Sequence, residues 1–372
     1  MPPNSPNILS DPPAADEVEV SIFGPGKGES VLVHLCENRW IIVDSCIDQR
    51  TREIPALSYL ERAGVAAEAA VELVVGTHAH DDHFAGISKV FEKCSAAQFV
   101  CSDAMTKEEF LALRRADIAT QTGLRKRSFS EYDEVFRLVM ERSPKGPGFR
   151  PLKYAIEQRV LIPKGANADT SVIALSPSDE AVTRARVALK SAYPDPGSPL
   201  KAITVDPNEL AVALWVEAAG KAILLGADLL RGPAGCGWLA VLATFNPDTL
   251  ASVFKIPHHG SITGHHSEVW NQLLEPNSVA LLAPFRGGKN PLPDRDDCAR
   301  ILSLTSEAFI TAGPRRPSLS AQARREAAAL GPLAQNARDP WGRAGHVRAR
   351  SKRGEASWRV DFAGPAQRLS IT

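Results

Sequence analysis

The chain reads as an α/β fold. Three observations predict it. Short β-rich runs alternate with helical stretches, the pattern restarts at Ser171, and the polar residues suited to chemistry stand just past strand ends. In α/β sheets ligand sites collect at the carboxyl ends of strands, so the third observation ties the fold class to function.

The elements follow in order. Val18, Val20 and Ile22 alternate with Glu19 and Ser21, which predicts a strand to Gly24. Gly24-Pro25-Gly26-Lys27-Gly28-Glu29 is a turn; its spacing is not that of a phosphate-cradling loop and no helix follows it. Ser30–Leu35 and Trp40–Val43 complete a meander that ends in Asp44-Ser45. A helix over Ile54–Ala63 is closed by Gly64. The apolar run Leu73–Gly76 is a buried strand, followed by Thr77-His78-Ala79-His80-Asp81-Asp82-His83, a helix over Gly86–Glu92 and a strand at Gln98–Cys101. Residues 103–168 change character. Thr106-x-x-Glu109 is a capping box, Ser130-x-x-Asp133 opens a second helix with Val135, Leu138 and Val139 on one face, and Pro144–Gly148 stops it. This stretch reads as a helical insertion.

The second half gives a strand at Ser171–Leu175, a helix over Pro177–Ser191 and a proline-rich loop over Tyr193–Pro199. Leu210–Glu217 and Ala222–Leu225 pair about Ala219-Gly220 and lead to Gly226-Ala227-Asp228. Ser252–Ile256 leads to Pro257-His258-His259-Gly260-Ser261, and strands at Val279–Ala283 and Ala308–Thr311 finish the core. A helix over Ser320–Leu330 and a hairpin of His346–Arg350 with Ser357–Phe362 follow. The expected organisation is a loose tail over 1–16, one α/β domain over 17–313 with the helical insertion at about 103–168, and a basic C-terminal extension over 314–372.

Composition narrows the class. A 44% hydrophobic content suits a sizeable core. No apolar run approaches the length of a membrane helix, which is about 20 residues. Met1–Asp16 holds five prolines and no apolar core of a signal peptide. Six cysteines without a C-x-x-C pattern argue for reduced thiols and a cytoplasmic location. Net charge is zero, but Pro314–Thr372 carries twelve Lys/Arg and four Asp/Glu, a net +8 that leaves −8 for the rest. A basic stripe of Arg348 and Arg350, with Arg343, Lys352 and Arg353 near it, would suit a polyanion; the alternative is that it pairs with the acidic body.

The chemistry concentrates in His78–His83. Three histidines and two aspartates in seven residues are more than a helix cap requires. Imidazole with carboxylate suits zinc, manganese or iron. His78 and His80 are close enough to chelate one ion, and Asp82 with His83 could hold a second. Two such ions would form a hydrolytic clamp.

Strand-Asp44, H-x-H-x-D-H, strand-Asp228 and a later strand-His together resemble the metallo-β-lactamase superfamily, over residues 18–313. The Gly-rich turn, Asn208 and Lys255-Ile-Pro-His-His-Gly-Ser261 look most like the hydrolase domain of ComEC-type DNA-uptake proteins and their stand-alone relatives. The resemblance implies an αββα sandwich with two divalent ions, Zn2+ or Mn2+, at one edge. It implies that His78 and His80 bind the first, Asp82, His83 and His258 the second, and that Asp228 bridges them. Where most members have a third histidine before the bridging aspartate, this chain has Asn208, as the ComEC-like subgroup does. The later Asn-x-x-x-His-Pro segment of that subgroup is here Asn290-Pro-Leu-Pro293, without the histidine.

Asp44 is expected to orient a histidine ligand through its free ring N–H. On an extended chain His258 and His259 point opposite ways, so one is a ligand and the other a catalytic, substrate or packing group; His258 is the expected ligand. Lys255 and Ser261 flank the site, to steady a substrate oxygen or to serve as a salt bridge and a cap. His34 and His346 are expected to be structural, and His265 and His266 to face solvent. Asp82 and Asp228 would position the nucleophile. The leading reading is a phosphodiesterase or nuclease on a nucleic acid or nucleotide. The others are a hydrolase of a carbonyl ester, lactone or thioester, and a non-catalytic metal domain that binds a partner.

Overall fold

The computed structural model describes residues 8–24, 28–105, 126–143, 148–165, 169–192, 206–287, 290–315, 320–330 and 343–371. The capping box at Thr106, the loop over Tyr193–Pro199, and parts of the N-terminal tail, the Gly-rich turn and the Pro144–Gly148 break lie outside the described residues.

The strands are β1 (Glu17–Gly24), β2 (Ser30–Leu35), β3 (Trp40–Val43), β4 (Val71–Gly76), β5 (Gln98–Ser102), β6 (Leu152–Ala155), β7 (Arg159–Ile162), β8 (Ser171–Ala174), β9 (Leu214–Ala218), β10 (Lys221–Leu225), β11 (Ala251–Lys255), β12 (Leu274–Leu282), β13 (Ala308–Ile310), β14 (Gly345–Lys352), β15 (Arg359–Ala363) and β16 (Gln367–Arg368). They form two eight-stranded sheets, ordered β15-β14-β1-β2-β3-β4-β5-β6 and β16-β13-β12-β11-β10-β9-β8-β7. Each sheet has a parallel run: β3 to β6, which ends at the sheet edge, and β10 to β13, which has antiparallel strands on both sides.

Side-chain alternation sends one face of each strand between the sheets and the other toward helices. Val18, Val20, Ile22, Val33, Ile41 and Val75 meet Leu214, Val216, Ile223 and Leu281 in the inter-sheet core. On the outer face of the first sheet, Trp40, Ile42 and Phe99 pack on Tyr59, Val90, Phe91 and Tyr132 of its helices. On the second, Trp215, Leu224 and Phe254 pack on Trp238, Val241 and Ile301. The result is the four-layer αββα sandwich. Within 103–168 the structure shows the helix Lys126–Arg142, whose Tyr132 stacks on Phe84, and the strands β6 and β7 at one edge of each sheet. No described helix is long and apolar enough to cross a membrane. All six cysteines are buried and free.

The C-terminal hairpin corrects the expected basic stripe. β14 pairs antiparallel with the whole of β1, from Glu17 opposite Lys352 to Gly24 opposite Gly345. Arg348 and Arg350 do share one face, but that face is inward, and they are 2% and 3% exposed. Arg350 Nε donates to Glu19 Oε2 at 2.7 Å, and its Nη2 donates to the Tyr59 hydroxyl at 3.0 Å. Arg348 donates to Asp11 and Asp361, each at 2.9 Å. Arg353 pairs with Asp169. The physical reason lies in β1: Glu19 is fully buried there, and a buried carboxylate needs a cation.

His34, on β2, is structural as expected. Its Nδ1 donates to the Glu17 carbonyl at 2.7 Å, and its Nε2 accepts from the Asn38 amide at 3.1 Å. Burial outweighs that carbonyl bond and holds its pKa down to about 4. A base with a depressed folded-state pKa takes its proton first in the unfolded chain. Stability is therefore full above pH 6.5, the ordinary histidine value, and falls as pH drops toward 4. The loss from this residue should reach about 3 kcal/mol. Denaturant melts at pH 7, 5.5 and 4, compared with those of His34→Gln, check it: the variant should show a shallower decline.

Candidate metal centre

The site forms where strands from both sheets end. β4 delivers His78–His83, β3 delivers Asp44, β10 delivers Asp228 and β11 delivers His258 and His259. Four non-glycine residues at these ends have left-handed backbones: Asp44 (φ 59), Ala227 (φ 44), His258 (φ 49) and His259 (φ 54). Such conformations cost energy and cluster at functional sites.

Asp44 is buried under the motif and organises it. Its Oδ1 accepts from the Thr77 amide and its Oδ2 from the Thr77 hydroxyl, both at 2.8 Å; Oδ2 also accepts from His83 Nδ1 at 2.7 Å. With its hydroxyl proton committed to Asp44, Thr77 Oγ1 accepts from His78 Nδ1 at 2.9 Å. This fixes the tautomers so that His78 and His83 both turn Nε2 away from Asp44. His78 Nε2 lies 3.2 Å from His80 Nδ1, and His83 Nε2 lies 3.3 Å from Asp228 Oδ2.

From the other sheet, His259 Nε2 lies 3.4 Å from Asp228 Oδ2 and 3.4 Å from Asp82 Oδ2, while its Nδ1 donates to the Ala283 carbonyl at 3.0 Å. Thus His259, not His258, faces Asp82 and Asp228. His258 lies against Asn208, whose amide is 3.4 Å from His258 Nε2, and against the Thr263 hydroxyl, 2.6 Å from Nδ1. The expectation of opposite orientations rested on an extended chain. Two successive left-handed residues turn the chain instead, and the second histidine is the one carried inward.

Donor atoms within 4.8 Å of one another define four groups among the described residues: His78, His83 and Asp228; Asp82, His83 and His259; Glu29, Asp228 and His259; Glu29, Asp44 and His83. Asp228 is shared between the His78 side and the His259 side. His80 and His258 complete none of these groups. Lys255 is buried behind the site, donating to the Ala227 carbonyl at 2.6 Å and pairing with Glu29, so it belongs to the framework. Ser261 Oγ accepts from the Thr263 amide at 3.3 Å and caps the turn that follows.

Glu29 escaped the sequence reading. Its signal was its position, a carboxylate at the end of the Gly-rich turn and just ahead of an apolar strand. Gly28 makes the approach possible. Its φ is +123°, and a Cβ there would stand 2.9 Å from the Asp82 carbonyl oxygen. That oxygen accepts from the Glu29 amide at 3.0 Å.

The electrostatics fit a divalent cation. Burial opposes charging His83 and His259, yet Asp228, with Asp44 for the first and Asp82 for the second, holds both pKa values above the ordinary range. Burial likewise opposes ionising Asp228, and His259 with His83 outweighs it. Burial, reinforced by neighbouring histidines, keeps His78 neutral. His83 Nε2, Asp228 Oδ1, Asn208 Oδ1 and Glu29 Oε2 are buried without hydrogen-bond partners. Orphaned donors and acceptors of this kind are costly unless a ligand completes them. Borderline nitrogen and carboxylate donors around several buried negative charges suit a divalent metal ion.

Neither a protein-family model nor a curated protein matches the sequence. Solved structures do. The metallo-β-lactamase fold protein YhfI from Bacillus subtilis is 13% identical, over 80% of this chain and 97% of that one, with a TM-score of 0.38. A β-lactamase domain protein from Burkholderia ambifaria is 15% identical, over 74% and 73%, at 0.31. The metallo-β-lactamase FIM-1 from Pseudomonas aeruginosa, in a mono-zinc form, is 13% identical, over 60% and 72%, at 0.26. Likeness at this level carries no inference about activity, which has to come from the side chains.

Proposed function

We propose that this chain is a divalent-metal-dependent hydrolase that acts on a phosphodiester of a nucleic acid or nucleotide. The observation that carries the metal reading is the convergence of Asp82, His83, Asp228 and His259 from two sheets, with His83 Nε2 and Asp228 Oδ1 buried without hydrogen-bond partners. Asp82, His83, His259 and Asp228 would hold one ion, and His78 with Asp228, and His80 beside them, would hold a second. Bound divalent ions would acidify a water and polarise the attacked ester. Asp44 holds the His83 ring in place, and the Ala283 carbonyl does the same for His259. The resemblance of Lys255–Ser261 and Asn208 to the ComEC-type hydrolase pattern supports the phosphodiester. The C-terminal arginines lend no support, since Arg348 and Arg350 are buried in ion pairs.

The test is a substrate screen on protein reloaded with manganese or zinc, using bis-p-nitrophenyl phosphate, single-stranded DNA and a thioester panel. Phosphodiester turnover that a chelator abolishes is expected, with elemental analysis approaching two ions per chain. Turnover of carbonyl esters alone would move the assignment to that class. A metal-loaded protein silent on every substrate would leave a binding domain.

A further inference from the structure

We infer that Glu29 and Lys255 form a positioning pair that sets the spacing of the metal ligands contributed by the two sheets. The inference rests on the metal reading of the site and goes beyond it by assigning a role to two residues outside the proposed ligand sets.

Glu29 enters from the β1–β2 turn of the first sheet and Lys255 from the end of β11 in the second. Their side chains form an ion pair, with Lys255 Nζ against Glu29 Oε1, and both residues are 1% exposed. Glu29 reaches proposed ligands from both sheets, and Lys255 reaches Asp228 from its own. Glu29 Oε1 lies 3.9 Å from His83 Nδ1, and Oε2 lies 3.8 Å from His259 Nδ1. The Glu29 amide holds the Asp82 carbonyl. Lys255 Nζ lies 3.7 Å from Asp228 Oδ1 and donates to the carbonyl of Ala227, the residue whose left-handed backbone aims Asp228. One ion pair therefore reaches the backbone or side chain of Asp82, His83, His259 and Asp228, the four residues proposed to hold one ion.

The direction of approach separates this role from ligation. Both histidines face Asp228 through Nε2, whereas Glu29 faces their Nδ1 atoms. Its carboxylate thus lies behind the rings, on the side that orients a ligand. Lys255 has the matching place behind Asp228, 3.7 Å from its Oδ1, and its bond to the Ala227 carbonyl holds the left-handed turn.

The experiment compares wild type with Glu29→Gln, Lys255→Met and the double variant. Metal content is read by elemental analysis and affinity by competition with a chelator, beside thermal melts of the metal-free proteins. Each single change should weaken binding of the more tightly held ion by about 10- to 100-fold, the range for lost outer-shell partners. The double variant decides the role. It leaves no unpaired buried charge, so it should regain most of the stability lost by the single variants, while its metal affinity stays low. A folded variant, single or double, that loads metal like wild type would overturn the pair. Wild type that takes up no metal would instead overturn the underlying reading of the site.

Discussion

Asp228→Ala should abolish hydrolysis while leaving a folded chain. Asp228 is the carboxylate shared by the His78 and His259 sides, and its Oδ2 lies within 3.4 Å of two ring nitrogens. Its loss would remove the carboxylate shared by the two proposed ligand sets and the charge that raises the pKa values of His83 and His259. In the metal-free variant those two rings lose protons instead of being stranded as buried cations, so folding should survive. Metal-ion catalysis contributes several kcal/mol of transition-state stabilisation, so kcat/KM should fall about a thousandfold or more. Metal content should fall with it, and Asp82→Ala should behave similarly. Activity assays and elemental analysis on the same preparation check both. A fully active Asp228→Ala would refute the bridging assignment.

Arg350→Ala should have the largest effect on stability. The guanidinium is the buried counter-charge of Glu19, which also receives the Tyr59 and Ser21 hydroxyls at 2.9 and 2.6 Å. Removing one partner of a buried pair typically costs about 3–5 kcal/mol, because the other charge is left uncompensated. Burial outweighs the arginine in setting the Glu19 pKa, which is already above its ordinary value, so the carboxylate would take up a proton in the variant. Denaturant unfolding should show the loss. Adding Glu19→Gln to Arg350→Ala should recover part of it. Metal content should be unchanged, since none of these groups belongs to the ligand cluster. Wild-type stability in Arg350→Ala would show that the pair contributes nothing.

The parts of the molecule legible in the sequence were those governed by local rules. β2 and β3 fall at the bounds their apolar runs predict, and the strand-then-carboxylate pattern located Asp44 and Asp228. The less legible parts depend on what lies across space. Glu19 and Ser21 alternate with valines and look like a solvent-facing edge, but β14 and the helix Pro55–Arg62 cover them. The stripe of arginines had the right periodicity, and nothing local shows which way a strand face turns. The choice between His258 and His259 depended on two left-handed residues that no propensity announces. Glu29 was hidden in a turn whose glycines drew attention to its backbone.

The pairing of β1 with β14 also bears on how the chain is made. Glu19 and Arg350 are 331 residues apart in sequence. β1 can join β2 within moments of emerging from the ribosome, but its other edge stays open until residue 352 is released. A strand edge left open during synthesis is a template for pairing with other chains. Shortening the chain before Gly345 would make that interval permanent. Such truncations should accumulate as insoluble aggregate even though every proposed metal ligand is present in them.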